Sequence, residues 1–141
     1  MTPADAMTIL GRLAHPLAPK LRIATGFNMK VKDGGGTIRI GSKLIASLTG
    51  ESELAFMLGH ELGHIALGHA GTWAYRLGFR RPDLEQAADG YSLRLMRARG
   101  YNVKDVPWLF ARLMARSSGK ARRELTVRRA AIVNAIVGEM T

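Results

Sequence analysis

Two histidines and a glutamate occupy one short segment, His60-Glu61-Leu62-Gly63-His64, in a pattern that suits metal-assisted hydrolysis. Residues four apart lie on one face of an α-helix, so His60 and His64 can offer two imidazoles to a single metal ion. Glu61 is offset enough to reach a water on that metal and to act as its general base. The alternative is a helix that carries two incidental histidines on a packed face.

A catalytic zinc takes three protein ligands, and the chain has no cysteine to supply the third. His69 follows His60 by nine residues, about 900° of helical rotation, so we expect it to be a helix-end or packing residue. Glu85 is the better candidate because it begins a helix, and Asp89 lies four residues later on the same face. Asp89 could accept a hydrogen bond from the far nitrogen of His60 or His64. Alternatively, both acids are solvated first-turn charges.

Apolar periodicity and turn residues predict the elements that must position this site. Alternation between Leu21 and Ile40 predicts an antiparallel hairpin around the glycine turn 33–36. Thr49 is expected to cap the helix that carries the motif, and Asp83 is expected to begin a capping box in the next helix. The predicted helices span about 3–14, 50–67, 82–99, 106–116 and 121–137. The fold class is therefore α+β, mainly helical, with a small antiparallel sheet and an active-site helix.

Length and composition favour one domain over residues 1–141, since 47% of the chain is hydrophobic. No apolar run reaches the roughly 18 residues of a membrane span, and no secretion signal is evident, so we expect a soluble, cytoplasmic protein. The 21 basic residues against 11 acidic ones give a charge of +10, which could attract nucleic acid or an anionic membrane surface. A solvated basic surface is favoured because no aromatics are interleaved with these charges.

The motifs together resemble the gluzincin zinc metallopeptidases related to HtpX and the CAAX prenyl endopeptidases, and among these the small soluble minigluzincins. The resemblance covers roughly residues 21 to 113. It rests on the run from Leu54 to Ile65, on Glu85-Gln86-Ala87-Ala88-Asp89, on Leu95 to Tyr101, and on Asn28 with the segment 35–40.

This resemblance implies a zincin-like domain acting as a zinc-dependent endopeptidase on peptides or unfolded proteins, with one Zn²⁺ per chain. The implied zinc ligands are His60, His64 and Glu85. Glu61 is implied as general base and Asp89 as the residue that orients a ligand. An edge strand with an unpaired side would bind extended substrate. Its residues would be Thr37, Ile38, Arg39 and Ile40.

The sequence departs from the family pattern in two places. Ala87 stands where many members have a second glutamate, and no histidine follows His69, whereas many relatives use a late histidine toward the oxyanion. Arg128 or Arg129 is the candidate oxyanion stabiliser in its place. Two alternatives stay open: a regulatory metallopeptidase of the ImmA/IrrE type, and a catalytically inactive zinc-binding interaction domain with a basic surface.

Overall fold

A computed structural model describes residues 1–13, 16–71 and 81–140 of the chain. Its helices are α1 (Pro3–Leu13), α2 (Ser42–Ser47), α3 (Glu51–Ala66), α4 (Pro82–Ala98), α5 (Val106–Ala115) and α6 (Gly119–Met140). Its strands are β1 (Lys20–Ala24), β2 (Met29–Lys32) and β3 (Thr37–Gly41). The mainly helical α+β class predicted from the sequence is confirmed.

Helix α3 runs through the core and is apolar on most of its surface. Leu54, Phe56, Leu58 and Leu62 are each at most 1% exposed. Burial of such side chains stabilises the fold by about 1.5–3 kcal/mol each, which keeps the motif-bearing helix fixed. No helix in the described part of the chain is both long and apolar enough to span a membrane.

The sheet is mixed rather than antiparallel, with strand order β1-β3-β2. The predicted hairpin is confirmed: Met29 pairs with Ile40 and Val31 with Ile38. However, β1 pairs in parallel with β3 from Lys20 to Ala24. Strands β1 and β3 are separated in the chain by β2, and their parallel pairing leaves no local sequence signal, so it was not predicted.

The expectation that residues 37–40 form an unpaired edge strand is wrong. Thr37, Ile38, Arg39 and Ile40 lie in the central strand β3, which is paired with β1 on one side and with β2 on the other. In the described part of the sheet, β1 and β2 occupy the edges. The main chain of β3 is therefore engaged within the sheet and does not offer a side for an extended substrate.

The two predicted helix caps are also wrong. Gly50 occupies the N-cap of α3, and the backbone N–H of Thr49 instead donates to the Glu53 carboxylate at 2.9 Å. Arg81 occupies the N-cap of α4, and its guanidinium donates to Asp83 at 3.0 Å. Both helices nevertheless begin within two residues of the predicted positions. The short helix α2 was not predicted.

Two glycines let α3 and α4 approach closely enough to share one site. A Cβ on Gly59 would overlap the Ser92 side chain, and a Cβ on Gly63 would lie 3.1 Å from the Ala88 Cα. The Ser92 hydroxyl donates to the Phe56 carbonyl oxygen at 2.7 Å, which joins the two helices where the glycine leaves space. The motif on α3 and the acids on α4 are therefore brought face to face.

Candidate metal centre

Three potential ligand atoms converge between α3 and α4. His60 and His64 stand one helical turn apart, and their Nε2 atoms lie 3.0 Å from each other. Glu85 faces both from the first turn of α4, with Oε2 3.0 Å from His60 Nε2 and Oε1 3.5 Å from His64 Nε2. All three residues offer a ligand atom within 4.8 Å of the others. The predicted set of His60, His64 and Glu85 is therefore assembled in space.

Asp89 holds His60 from the side opposite the cluster. His60 Nδ1 lies 2.8 Å from Asp89 Oδ1, so Nδ1 carries the proton and donates to the carboxylate. Arg128 on α6 in turn donates to Asp89 through Nε at 2.9 Å and Nη2 at 2.8 Å. With Nδ1 protonated in this way, the Nε2 lone pair of neutral His60 points toward His64 and Glu85.

His69 is buried beside His64 and does not join the ligand cluster. Its Nδ1 lies 3.0 Å from His64 Nδ1, so it stands on the far side of that imidazole from Nε2. Burial lowers the pKa of His69, and the neighbouring His64 lowers it further. A neutral His69 whose Nδ1 carries no proton can accept a hydrogen bond from His64 Nδ1–H, which leaves the His64 Nε2 lone pair for a metal. This hydrogen bond was not foreseen in the sequence analysis.

The pKa values of His60, Glu85 and Asp89 depend on one another. Burial disfavours the His60 imidazolium, but hydrogen bonds to Asp89 and Glu85 outweigh burial and raise the pKa of His60 to about 9. Burial also opposes ionisation of Glu85, yet hydrogen bonds from His60 and His64 hold its pKa well below the usual range. The pKa of Asp89 is likewise lowered, because Arg128 and His60 outweigh its burial. Both carboxyl groups are therefore ionised at neutral pH.

The residues present fit a divalent zinc ion. Two imidazole nitrogens and one carboxylate are a known ligand set for catalytic zinc, which leaves a position for water. With neutral imidazoles, the carboxylates of Glu61, Glu85 and Asp89 and the guanidinium of Arg128 carry a net charge of about −2, which a divalent cation would neutralise. Binding at Nε2 requires the neutral form of His60, so metal uptake would release a proton.

Glu61 lies beside the ligand cluster and is 4% exposed. Its Oε1 is 3.9 Å from His60 Nε2, close to the ligand atoms without being one of the three. Glu61, His60 and His64 line an open cleft of about 570 Å³, whose other walls include residues of β2, α5 and α6. A substrate in this cleft would meet the ligand cluster and the carboxylate together.

The two candidate arginines on α6 take different positions. Arg128 lines the cleft, and its Nη1 lies 3.7 Å from Glu85 Oε2. Its Cζ also lies 5.1 Å from the centre of the Phe110 ring. Arg129 instead donates to the Pro107 carbonyl oxygen at 3.0 Å and packs α6 against α5. The structure brings Arg128 to the site and leaves Arg129 away from it.

The small residues at the contact between α3 and α4 were missed as site determinants. The sequence analysis gave Gly59 and Gly63 no role in positioning the site. Their spacing of four, which places both on the helix face toward α4, was the available signal. They contact no ligand atom, yet they set the separation between the histidines and Glu85.

Residues 27–79 match the sequence profile of Peptidase family M48. The matched segment contains β2, β3 and the motif-bearing helix α3, and it ends before Glu85 and Asp89. Over this segment, which is less than half of the chain, the protein is similar to the M48 metallopeptidases. No curated protein and no solved structure gave a significant match to the chain.

Proposed function

We propose that the chain is a zinc-dependent endopeptidase of the minigluzincin kind that hydrolyses peptides or unfolded proteins. The observation that carries the proposal is the convergence of His60, His64 and Glu85 in an open cleft that also contains Glu61. The match to Peptidase family M48, which includes His60, Glu61 and His64 but not Glu85, supports the same activity. A purely structural zinc site would need no carboxylate poised beside its ligands.

Glu61 is the proposed general base. A bound zinc would polarise the scissile carbonyl and lower the pKa of water to about 7. Glu61 would take a proton from the attacking water and return it to the leaving amine, so that one carboxylate serves as base and then as acid. Asp89 would hold His60 in the Nδ1-protonated form throughout, and Arg128 would keep Asp89 ionised and in place.

Substrate would lie in the cleft beside β2 rather than along residues 37–40. Three residues of β2 line the cleft, whereas Arg39 is the only contributor from β3 among the described residues. The opposite wall includes Phe110, Leu113 and Leu125, which offer an apolar surface to one substrate side chain. We infer that an extended polypeptide would lie between these walls.

Arg128 is the proposed oxyanion stabiliser in place of a late histidine. Its Nε and Nη2 are committed to Asp89, but Nη1 faces Glu85 at 3.7 Å, beyond hydrogen-bonding distance. That nitrogen could approach charge developing on a substrate carbonyl. Arg129, bonded to the Pro107 carbonyl oxygen, is not proposed for this role.

The proposal is tested by casein hydrolysis with the zinc-loaded wild type and Glu61→Gln. We expect hydrolysis by the wild type and loss of at least about a hundredfold in Glu61→Gln, because an amide cannot accept the water's proton. Zinc content and the melting temperature should be the same in both proteins. Equal turnover by the two proteins would show that Glu61 is not the general base. Absence of turnover by the zinc-loaded wild type would refute the proposed peptidase function.

A further inference from the structure

One face of the sheet carries basic side chains on all three strands. Directly paired residues share a face, and alternate residues of a strand return to it. Arg22 pairs with Arg39, and Arg39 pairs with Lys30. Lys20 and Lys32 pair with Thr37 from opposite sides of β3. We call this the basic sheet face, and its charged members are Lys20, Arg22, Lys30, Lys32 and Arg39.

The arrangement places like charges side by side on the sheet. Arg22, Arg39 and Lys30 form one row across the three strands, where like charges directly opposite one another destabilise a sheet. Asp33 is the one acid among residues 16–50, and it accepts a hydrogen bond from the Thr37 hydroxyl at 2.8 Å. Arg22 and Arg39 are exposed and form no ion pair with any described residue. Such a row is suited to an anionic partner.

The basic sheet face continues into the cleft of the candidate metal centre. Lys30, Lys32 and Arg39 line the same cleft as His60 and Glu61. An anionic chain held on this face would therefore pass directly to the proposed site of hydrolysis. None of the strand residues on this face is aromatic, so the face itself offers no ring on which bases could stack, and it favours an acidic polypeptide over a nucleic acid.

We propose that the basic sheet face binds acidic segments of polypeptide substrates and directs the adjoining residues into the cleft. This inference rests on the proposed peptidase function and adds the class of substrate. Binding would be electrostatic and would weaken as salt rises, since exposed charges are screened over about 10 Å at 0.1 M ionic strength.

The test uses zinc-loaded Glu61→Gln, which binds without turnover, and two fluorescein-labelled ten-residue peptides. One peptide alternates Glu with Gly, and the other alternates Gln with Gly. We expect fluorescence anisotropy at 0.1 M salt to show roughly threefold to tenfold tighter binding of the acidic peptide. The paired change Arg22→Gln, Arg39→Gln should abolish this preference. Equal affinity for the two peptides would overturn the proposal.

The matched control is Arg94→Gln, Arg123→Gln, which removes the same charge from exposed positions on α4 and α6. This control should keep the preference, and circular dichroism should show every variant folded. If both paired variants lose the preference for the acidic peptide equally, the proposal is overturned, and the preference reflects unspecific attraction by the net charge. A ten-residue oligothymidylate that binds more tightly than the acidic peptide, and weakens with Arg22→Gln, Arg39→Gln, would reassign the face to nucleic acid.

Hydrolysis separates failure of this inference from failure of the peptidase function. Wild type that cleaves casein but shows no preference for the acidic peptide would overturn the acidic substrate class alone. The wild type could instead bind the acidic peptide preferentially but cleave neither casein nor a peptide with an acidic segment. That result would refute the peptidase function, and with it the assignment of acidic polypeptides as substrates. Preferential cleavage of the acidic substrate, lost in Arg22→Gln, Arg39→Gln, is the supporting result.

Discussion

Replacing Gly63 by Ala tests whether the close contact between α3 and α4 sets the metal centre. The added Cβ would meet the Ala88 Cα and carbonyl oxygen at 3.1 Å and the Tyr91 Cβ at 3.2 Å, so α4 must give way by a few tenths of an ångström. Overpacking of this kind costs about 1–3 kcal/mol, and the better helix propensity of alanine offsets about 1 kcal/mol. We therefore expect a net destabilisation of about 0–2 kcal/mol.

Gly11→Ala is the matched control, because Gly11 lies in α1 and a Cβ there would meet nothing within 4 Å. We expect it to stabilise the protein by about 0.5–1 kcal/mol through helix propensity alone. Urea unfolding of the metal-free proteins measures both changes. Competition with a chromophoric chelator should show zinc binding weakened about tenfold in Gly63→Ala, because Glu85 and Asp89 move with α4. Equal stabilisation by both substitutions, with unchanged zinc affinity, would refute this reasoning.

Five further substitutions separate the roles around the cluster. Asp89→Asn should lower zinc affinity about tenfold to a hundredfold in the same chelator competition, since the amide no longer fixes the imidazole as a carboxylate does; an unchanged affinity would contradict this role. Arg128→Gln should lower kcat for peptide hydrolysis more than Arg129→Gln, which should mainly lower the melting temperature, and the reverse order would exchange their roles. Glu85→Ala should lose zinc by metal analysis, whereas His69→Ala should retain one equivalent with weaker affinity; the opposite pattern would make His69 the third ligand.

The local sequence pattern predicted the helices and the motif because both depend on residues close in the chain. Periodic apolar residues located α3, and Pro82 located the start of α4. The hairpin followed from alternation around a glycine turn, where Asp33 and Gly34 have positive φ angles of 57° and 63°. These signals come from residues near one another in the chain, so they can be identified without knowledge of the tertiary contacts.

The central position of β3 and the choice between two arginines depend on distant contacts. The pairing of β1 with β3 joins residues seventeen positions apart in register and leaves no local pattern. The sequence offered Arg128 and Arg129 as equal candidates, because nothing local shows that Arg128 meets Asp89 from 39 residues away. Side chains that converge from several elements require the fold.

The zinc content of the purified protein is the most direct test of the account. Metal analysis of the wild type after dialysis against a weak chelator should find one zinc per chain, bound through His60, His64 and Glu85. The double change His60→Ala, His64→Ala should remove that zinc while the helical circular dichroism signal remains. Wild-type protein that binds no zinc, or a double variant that still holds one equivalent, would contradict the proposed centre.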